Sequence, residues 1–444
     1  MRTCQRAGDK AREVAEATKR EFEGGISDAF EGVLRLYVAE EERELTAHLS
    51  TCIQEEQARR WIPGEDDVSP TGPAVLQSAN KLFLRIRGSL TRCARMISRG
   101  ATLQALSAVF QRVLGLYAHE LLRRLPKNAH GQTSGAASWS SSEWQVKVDE
   151  DEEKVLCYIL HTAEFCRETV EGLSAAVKKD IKPVLADGID YSEEESVFLT
   201  VASQAMGVLV LGVSSRLDAS LQEMVRLRWD TLENPGDDSP YVNTIRKVLL
   251  DCAPRIGEGL DRVNFSFFCD KMARSFVPRL HEAVLRLKRI SEKGTIQLSI
   301  DVDALKRILA DFPKVACPLS LDTHDLASYF TYLEREMSSL MHLVKVLQSK
   351  PEYLVDTYLL LMPATAQTLP EFQRVCDIKG SAFSRVVSAA TAAASATGAS
   401  FQGRNLSNTD GFSVAATKAK EGFSKLGGLI SKIGSDTLGG DSAQ

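Results

Sequence analysis

The chain has 444 residues, more than one hydrophobic core usually serves, so the sequence predicts two or three packed units. Hydrophobic residues make up 44% and charged residues 25%, which is typical of a folded soluble protein. The net charge of -5 argues against a general nucleic-acid binder, which needs a basic excess to neutralise phosphates.

The nine cysteines are scattered singly, with no CxxC pair and an odd total. This pattern predicts free thiols in a reducing compartment, where cysteine serves as a small core hydrophobe. The N-terminal residues are charged throughout and show no apolar segment of the kind that a signal peptide requires. We also expect no uncharged apolar run of about 18 residues that could span a bilayer. The sequence therefore predicts a cytoplasmic protein whose membrane contact is peripheral.

Apolar residues recur every three or four positions along most of the chain, the period that places them on one helical face. Period-two strand patterns are nearly absent. The fold class predicted is all-α, with tandem helical bundles that form an elongated rod. The predicted helices, in chain order, span residues 26–61, 74–98, 101–124, 151–186, 193–231, 241–262, 264–289, 302–312, 322–349, 352–361 and 369–379.

Local signals within these helices lead to further expectations. Ser192 followed by Glu195 predicts a capping box at a helix start. Residues 197–229 are apolar on most sides, which indicates a helix buried deep in a bundle. Pro254 and Pro278 lie inside helical patterns and are predicted to kink or interrupt them, because proline removes a backbone donor.

Composition divides the chain into segments. A helical bundle is predicted over residues 1–125, a loop rich in serine, glycine and alanine over 126–150, and the C-terminal helical bundles over 151–380. Large apolar residues then become rare, so 381–411 is predicted to be a disordered linker and 435–444 a disordered end.

Between those two segments, residues 412–434 form a candidate amphipathic helix, with a plain disordered tail as the alternative. Three lysines recur every seven residues beside an apolar stripe. Glycines weaken the helix, so it should fold only when the stripe is buried at a membrane interface or against a partner helix. The residues of this candidate interfacial helix are Phe412, Phe423, Leu426, Ile430, Ile433, Lys418, Lys425 and Lys432.

The sequence contains none of the motifs that mark common catalytic and nucleotide sites: no GxxxxGK[ST], no GxGxxG after a strand, no GxSxG and no HExxH. His161 lies near Cys157 and Cys166 on a helical pattern, so a metal site is an alternative to a core histidine. A fourth ligand has no candidate, and we favour the core histidine. We predict no catalytic, metal or cofactor site.

Charge runs form two further patterns. The acidic runs at 40–42, 149–153 and 193–195 could serve as paired general acids, but are typical of solvated faces and first helical turns. Between Asp67 and Glu120 the chain has no acidic residue. Helical spacing there predicts a basic docking face of Lys81, Arg85, Arg92, Arg95 and Arg99.

Two interpretations of this face stay open. In the first, the face is either solvated or paired with the acidic helix around Glu40 to Glu44. Surface charges of either kind contribute little to stability. Alternatively, it docks an acidic partner or phospholipid headgroups.

Five strings in the sequence resemble a known family: SDAFEGVLRLYVAEEERELTAHL, LYAHELLRRLPK, CYILHTAEFCRETVEGL, SPYVNTIRKVLLDCAPRIGEGLDRVNFSFFCDKMARSFVPRL and YLVDTYLLLMPATAQTLPEFQRVCDIKG. Together they resemble the C-terminal half of the vacuolar protein sorting-associated protein 53 family. Its members are subunits of the Golgi-associated retrograde protein complex, GARP, and of its endosomal relative, EARP.

The resemblance implies a non-enzymatic vesicle-tethering subunit in retrograde transport from endosomes to the trans-Golgi network and in endocytic recycling. It implies sister subunits as partners, with membrane fusion proteins and small GTPases as further partners, and peripheral contact with Golgi or endosomal membranes. It implies no cofactor and no nucleic acid. The sequence would begin inside the family's middle, after the N-terminal coiled-coil portion. A helical adaptor or a subunit of another tether, such as an exocyst-like complex, is the alternative.

Overall fold

The computed structural model describes residues 33–63, 74–126, 148–316, 325–350, 353–362 and 369–380. Of these residues 83% are helical, and none of them lies in a strand. The predicted all-α fold of helical bundles is therefore confirmed. The elongated rod stays a prediction, and the segments beyond residue 380 lie outside the described residues.

The described ranges contain twelve α-helices. In chain order they are α1 Arg35–Ala58, α2 Gln77–Arg92, α3 Ala101–Arg124, α4 Glu150–Asp180, α5 Pro183–Ala186, α6 Ser192–Arg226, α7 Pro240–Gly259, α8 Arg262–Leu285, α9 Glu292–Ala316, α10 Ala327–Gln348, α11 Leu354–Leu361 and α12 Leu369–Lys379. Cys93–Ile97 form one π-helical turn after α2.

The first of two compact units comprises the described residues up to 212 together with 255–261. Helix α1 packs against α2 and α3, and α4 packs against the same two helices. Leu106, Phe110 and Tyr117, spaced by four and seven residues, are fully buried on one face of α3. Because α4 shares this core, the predicted loop at 126–150 does not divide the units.

Helix α2 begins without a local side-chain cap, and two other helices satisfy the backbone there. The amide of Ser78 donates to a carboxylate oxygen of Glu56 in α1 at 2.8 Å. The amide of Leu76 donates to the hydroxyl of Thr162 in α4 at 2.9 Å. These bonds fix the start of α2, because the first amides of a helix have no partner within it.

The second unit comprises the described residues among 213–254 and 262–380. Helix α10 packs against α8, α9 and α11, and α12 packs against α8. Phe265, Phe268 and Phe312 form an aromatic cluster with ring centroids 6.3 to 6.4 Å apart. Tyr358 and Phe372 join α11 to α12 at 5.0 Å between ring centroids.

Several predicted helix boundaries are wrong. The helix predicted over 302–312 begins earlier, at Glu292, because Gln297 is held by the Asp237 carbonyl oxygen, 2.8 Å from its side-chain nitrogen. The helix predicted over 151–186 breaks at Lys182, whose extended backbone is the conformation favoured before a proline. The capping box is also absent: the Ser192 hydroxyl donates to Asp190 at 2.9 Å, and Asp190 accepts the Ser192 amide as well.

Pro254 and Pro278 do not end their helices, since α7 and α8 run through them. Both prolines are exposed, so the carbonyl group that each leaves without a helical donor lies on the side open to water. Of the two predicted effects, interruption of the helices is wrong, and a kink stays a prediction.

The expectation that the chain has no uncharged apolar run of about 18 residues is wrong, because helix α6 contains one. By length and composition it could cross a membrane, with an 18-residue window of mean hydropathy 1.9. Half of that window is buried, and Thr200, Ser203 and Gln204 are polar residues at its exposed positions. The core helix of a soluble protein has the same features, which favours the predicted buried helix.

The cysteines in the described residues are free and buried, as predicted. Burial raises the pKa of the Cys93 thiol to about 11 and the pKa values of Cys157 and Cys376 to about 12. These thiols are protonated and pack as small apolar groups.

Candidate functional site

Helices α1 and α2 run antiparallel and face each other through pairs of opposite charge. Three residues of the predicted docking face take part, and the pairs are Lys81 with Glu55, Arg85 with Glu44, and Arg92 with Glu41. The Lys81 Nζ to Glu55 Oε2 distance is 2.5 Å. Pairing with the acidic helix, one of the two interpretations, thus applies to three of the five residues of the docking face.

Glu41 is the buried member of this layer, with 4% of its surface exposed. Its Oε1 accepts from Arg92 Nη2 at 2.7 Å and from Arg92 Nε at 3.1 Å, and its Oε2 accepts from the Ser89 hydroxyl. Burial acts to raise the pKa of Glu41, but these hydrogen bonds outweigh it and the pKa is lowered. The carboxylate is therefore charged and holds α1 against α2.

Arg95 and Arg99 do not continue the row along α2. Arg95 lies in the π-helical turn, and Arg99 follows Ser98, whose backbone is extended. A π turn shifts the register of the residues that follow, so the spacing no longer keeps them in line with Arg85. The Nε of Arg99 donates to the Ala94 carbonyl oxygen at 3.1 Å, and Arg95 is exposed. A docking role for the five residues stays a prediction.

Sequence reasoning missed two features here. Arg112 of α3 binds both carboxylate oxygens of Glu42 at 2.8 Å, which joins a third helix to the charged layer. Glu41 is buried because it lies four residues before Leu45 on the apolar face of α1. An acid in line with that apolar face was the available signal.

His161 lies in a group of potential metal ligands. A nitrogen of His161 and carboxylate oxygens of Glu164 and Asp261 lie within 4.8 Å of one another, and such a set suits a divalent cation. Neither Cys157 nor Cys166 belongs to this group. The Nε2 of His161 also accepts from the Asp261 amide at 3.4 Å, an arrangement typical of a core histidine. The expected lack of a metal stays a prediction.

The acidic runs lie at helix starts and in ion pairs. Asp149 caps α4 by accepting from the Glu152 amide at 2.8 Å, and Glu152 binds Arg124. Residues 193–195 occupy the first turn of α6, where acids complement the helix dipole. These contacts favour the structural interpretation of the runs. The candidate interfacial helix, residues 412–434, lies outside the described part of the chain.

A solved structure matches the helical architecture. The chain is similar to the crystal structure of the C-terminal domain of the exocyst subunit Sec6p, with a TM-score of 0.60 and 13% sequence identity. The match covers 85% of this chain and 94% of that domain. At this identity the likeness concerns the fold, which defines an all-α protein of the same structural class.

Sequence comparisons point to one family. A family model described as "Vacuolar protein sorting-associated protein 53 C-terminus" matches residues 296–381. The chain is 40% identical over 359 residues to "Vacuolar protein sorting-associated protein 53 A" of Arabidopsis thaliana. This alignment covers 81% of the chain and 41% of that protein. It is 27% identical over 369 residues to the Caenorhabditis elegans homolog, in an alignment that covers 81% of the chain and 45% of that protein.

These matches support the vacuolar protein sorting-associated protein 53 family. The chain spans less than half the length of these two curated relatives.

Proposed function

We propose that this chain works in a vesicle-tethering complex of the GARP or EARP kind and acts by protein contacts rather than by catalysis. The observation that carries the proposal is the 40% identity, over 81% of the chain, to a relative of this family. The process would be retrograde transport from endosomes to the trans-Golgi network, together with endocytic recycling.

The partners we propose are the sister subunits of the complex, with membrane fusion proteins and small GTPases as further contacts. The protein would lie on the cytoplasmic side of trans-Golgi and endosomal membranes. A helical scaffold suits this role, because rigid helices present side chains at fixed spacing without a catalytic cleft. No cofactor and no nucleic acid enter the proposal.

A second candidate function is a subunit of an exocyst-like tether at another membrane. The fold likeness to the Sec6p domain, at a TM-score of 0.60, favours it. The low sequence identity of 13% leaves it behind the first proposal, since one fold serves many functions.

Purification of the full-length gene product from its own cells separates the two. A tagged product should bring down the other GARP or EARP subunits in stoichiometric amounts, as measured by quantitative mass spectrometry. Recovery of exocyst subunits would support the second candidate instead, and recovery of neither complex would contradict both.

A further inference from the structure

Three elements of the first unit meet at one end of its bundle. Because α1 and α2 are antiparallel, the start of α1 lies beside the end of α2. The end of α4 joins them, since the Lys182 amide donates to the Arg99 carbonyl oxygen at 2.9 Å. We call the residues 33–37, 93–99 and 178–188 the basic end.

Each of these three elements presents an exposed apolar side chain. Leu36 is 75% exposed, Met96 is 81% exposed and Val184 is 90% exposed. Single exposed apolar residues are ordinary on protein surfaces. Three of them, from three separate elements at the same end of one bundle, are typical of an interaction site.

The charge of the basic end has one dominant sign. Its only acidic residues are Asp180 and Asp187. The basic residues are Arg35, Arg95, Arg99, Lys178, Lys179 and Lys182. Lys178 and Lys179 also complement the dipole at the end of α4, and both side chains are exposed, although the charge of Lys178 also acts on the Asp190 carboxylate.

We propose that the basic end binds an anionic lipid surface. Arg95, Lys178 and Lys179 attract the phosphate headgroups, and the apolar tips of Met96 and Val184 enter the boundary between headgroups and acyl chains. An acidic protein partner would need a continuous complementary surface. Separate exposed apolar side chains in a region with a basic excess fit a fluid lipid surface better. The inference rests on the membrane contact of the proposed function and names its site.

Vesicle co-sedimentation of the full chain tests the charge component. The chain should bind phosphatidylcholine vesicles that contain about 30% phosphatidylserine more tightly than phosphatidylcholine alone. The variant R95E/K179E should bind the anionic vesicles about tenfold more weakly or worse, because each reversal replaces attraction with repulsion. The matched control R87E/K154E changes the net charge equally at exposed positions elsewhere on the unit and should keep its binding.

The apolar component has its own pair of variants. M96S/V184S should weaken binding to the anionic vesicles, and L84S/L199S, at other exposed apolar positions of the same unit, should not. Circular dichroism melting curves verify that every variant is folded. No binding of the unmodified chain, or equal loss in a variant and its control, overturns the proposal.

A protein partner gives a different result. If R95E/K179E loses a sister subunit in the purification while vesicle binding is unchanged, the basic end is a protein interface and the lipid proposal is wrong. Failure to recover any tethering subunit from unmodified cells concerns the proposed function alone, because vesicle binding is measured on the isolated chain.

Discussion

Gly294, near the start of α9, lies against the backbone of the segment that follows α6. A Cβ atom at this position would stand 2.3 Å from the carbonyl oxygen of Trp229, which itself accepts from the Ser291 amide at 3.1 Å. Backbone cannot move aside as a flexible side chain can. The substitution G294A should therefore lower the free energy of unfolding by about 1 to 3 kcal/mol, measured by chemical denaturation.

The control for this prediction is G207A in α6, where an added Cβ would meet nothing within 4 Å. It should leave stability unchanged or raise it by up to about 1 kcal/mol, because alanine is the better helix former. An equal loss in both variants would show that the close approach at Gly294 is not the cause.

His161 should make folding stability depend on pH. Burial lowers its pKa below the ordinary value of 6.5, although the Asp261 carboxylate acts in the opposite direction. The unfolded chain then takes up a proton at higher pH than the folded chain, so stability is full above about pH 6.5 and falls as the pH drops toward the folded pKa. His281 is half-buried, and desolvation lowers its pKa as well.

Denaturation curves between about pH 5.5 and 7.5 test this effect. H161Q removes the titrating group while keeping an acceptor for the Asp261 amide, so its loss of stability on acidification should be smaller than that of the unmodified chain. H161Q/H281Q should reduce the loss further. An undiminished loss in both variants would contradict the assignment.

At the level of single residues, the sequence predicted the buried free cysteines, because isolated thiols with no CxxC pair serve mainly as small core hydrophobes. Its alignment with the apolar face of α1 hinted at the burial of Glu41, but the donors from α2 that satisfy the carboxylate are far away in the sequence and could not be read from it. The same limit applies to His161. The sequence suggested Cys157 and Cys166 as potential ligands beside it, whereas the structure places Asp261, from another segment, next to its ring.

From the charged layer between α1 and α2, we predict that replacing two neighbouring acids, Glu41 and Glu40, has very different effects on stability. E41Q removes the charge that Arg92 and Ser89 bind and should cost about 1.5 to 3 kcal/mol of stability. E40Q, on the exposed side of α1 beside Arg43, should leave the free energy of unfolding unchanged. Thermal and chemical denaturation of the two variants measure the difference, and equal effects would contradict a structural role for the buried pair.

Residues 412–434 give a second prediction at the level of an element. A peptide covering 410–434 should show a coil spectrum by circular dichroism in buffer, because glycines at 422, 427 and 428 weaken its helix. Anionic vesicles should induce helix, since the apolar stripe and the lysines then act together. A coil signal under both conditions would end the interfacial hypothesis.

Helices were predicted best where the apolar period and the end signals agree, as in α3, whose bounds match the predicted 101–124. The start of α9 was missed because Gly294 and Thr295 are poor helix formers and tertiary contacts hold them in the helix. The π turn after Arg92 leaves no clear mark on sequence spacing, so the stripe through Arg99 was predicted as one straight row.

For the whole molecule, chain length suggested two or three units but could not indicate where one ends and the next begins. Composition indicated a boundary at the loop 126–150, whereas packing joins α4 to the first unit. A low-complexity loop can lie within a compact unit when the helices on either side pack together. The family was readable from long strings, because they preserve both the apolar pattern and the particular side chains.

The central claim, a role in retrograde vesicle tethering, is tested most directly by following a receptor that cycles between endosomes and the trans-Golgi network. The measurement is the fraction of receptor at the trans-Golgi network, by fluorescence microscopy, in cells whose gene lacks the segment for residues 33–380. We predict that the receptor accumulates in endosome-derived vesicles and that re-expression of the full-length gene product restores its return. A normal receptor distribution, with or without a defect in secretion, would contradict the claim.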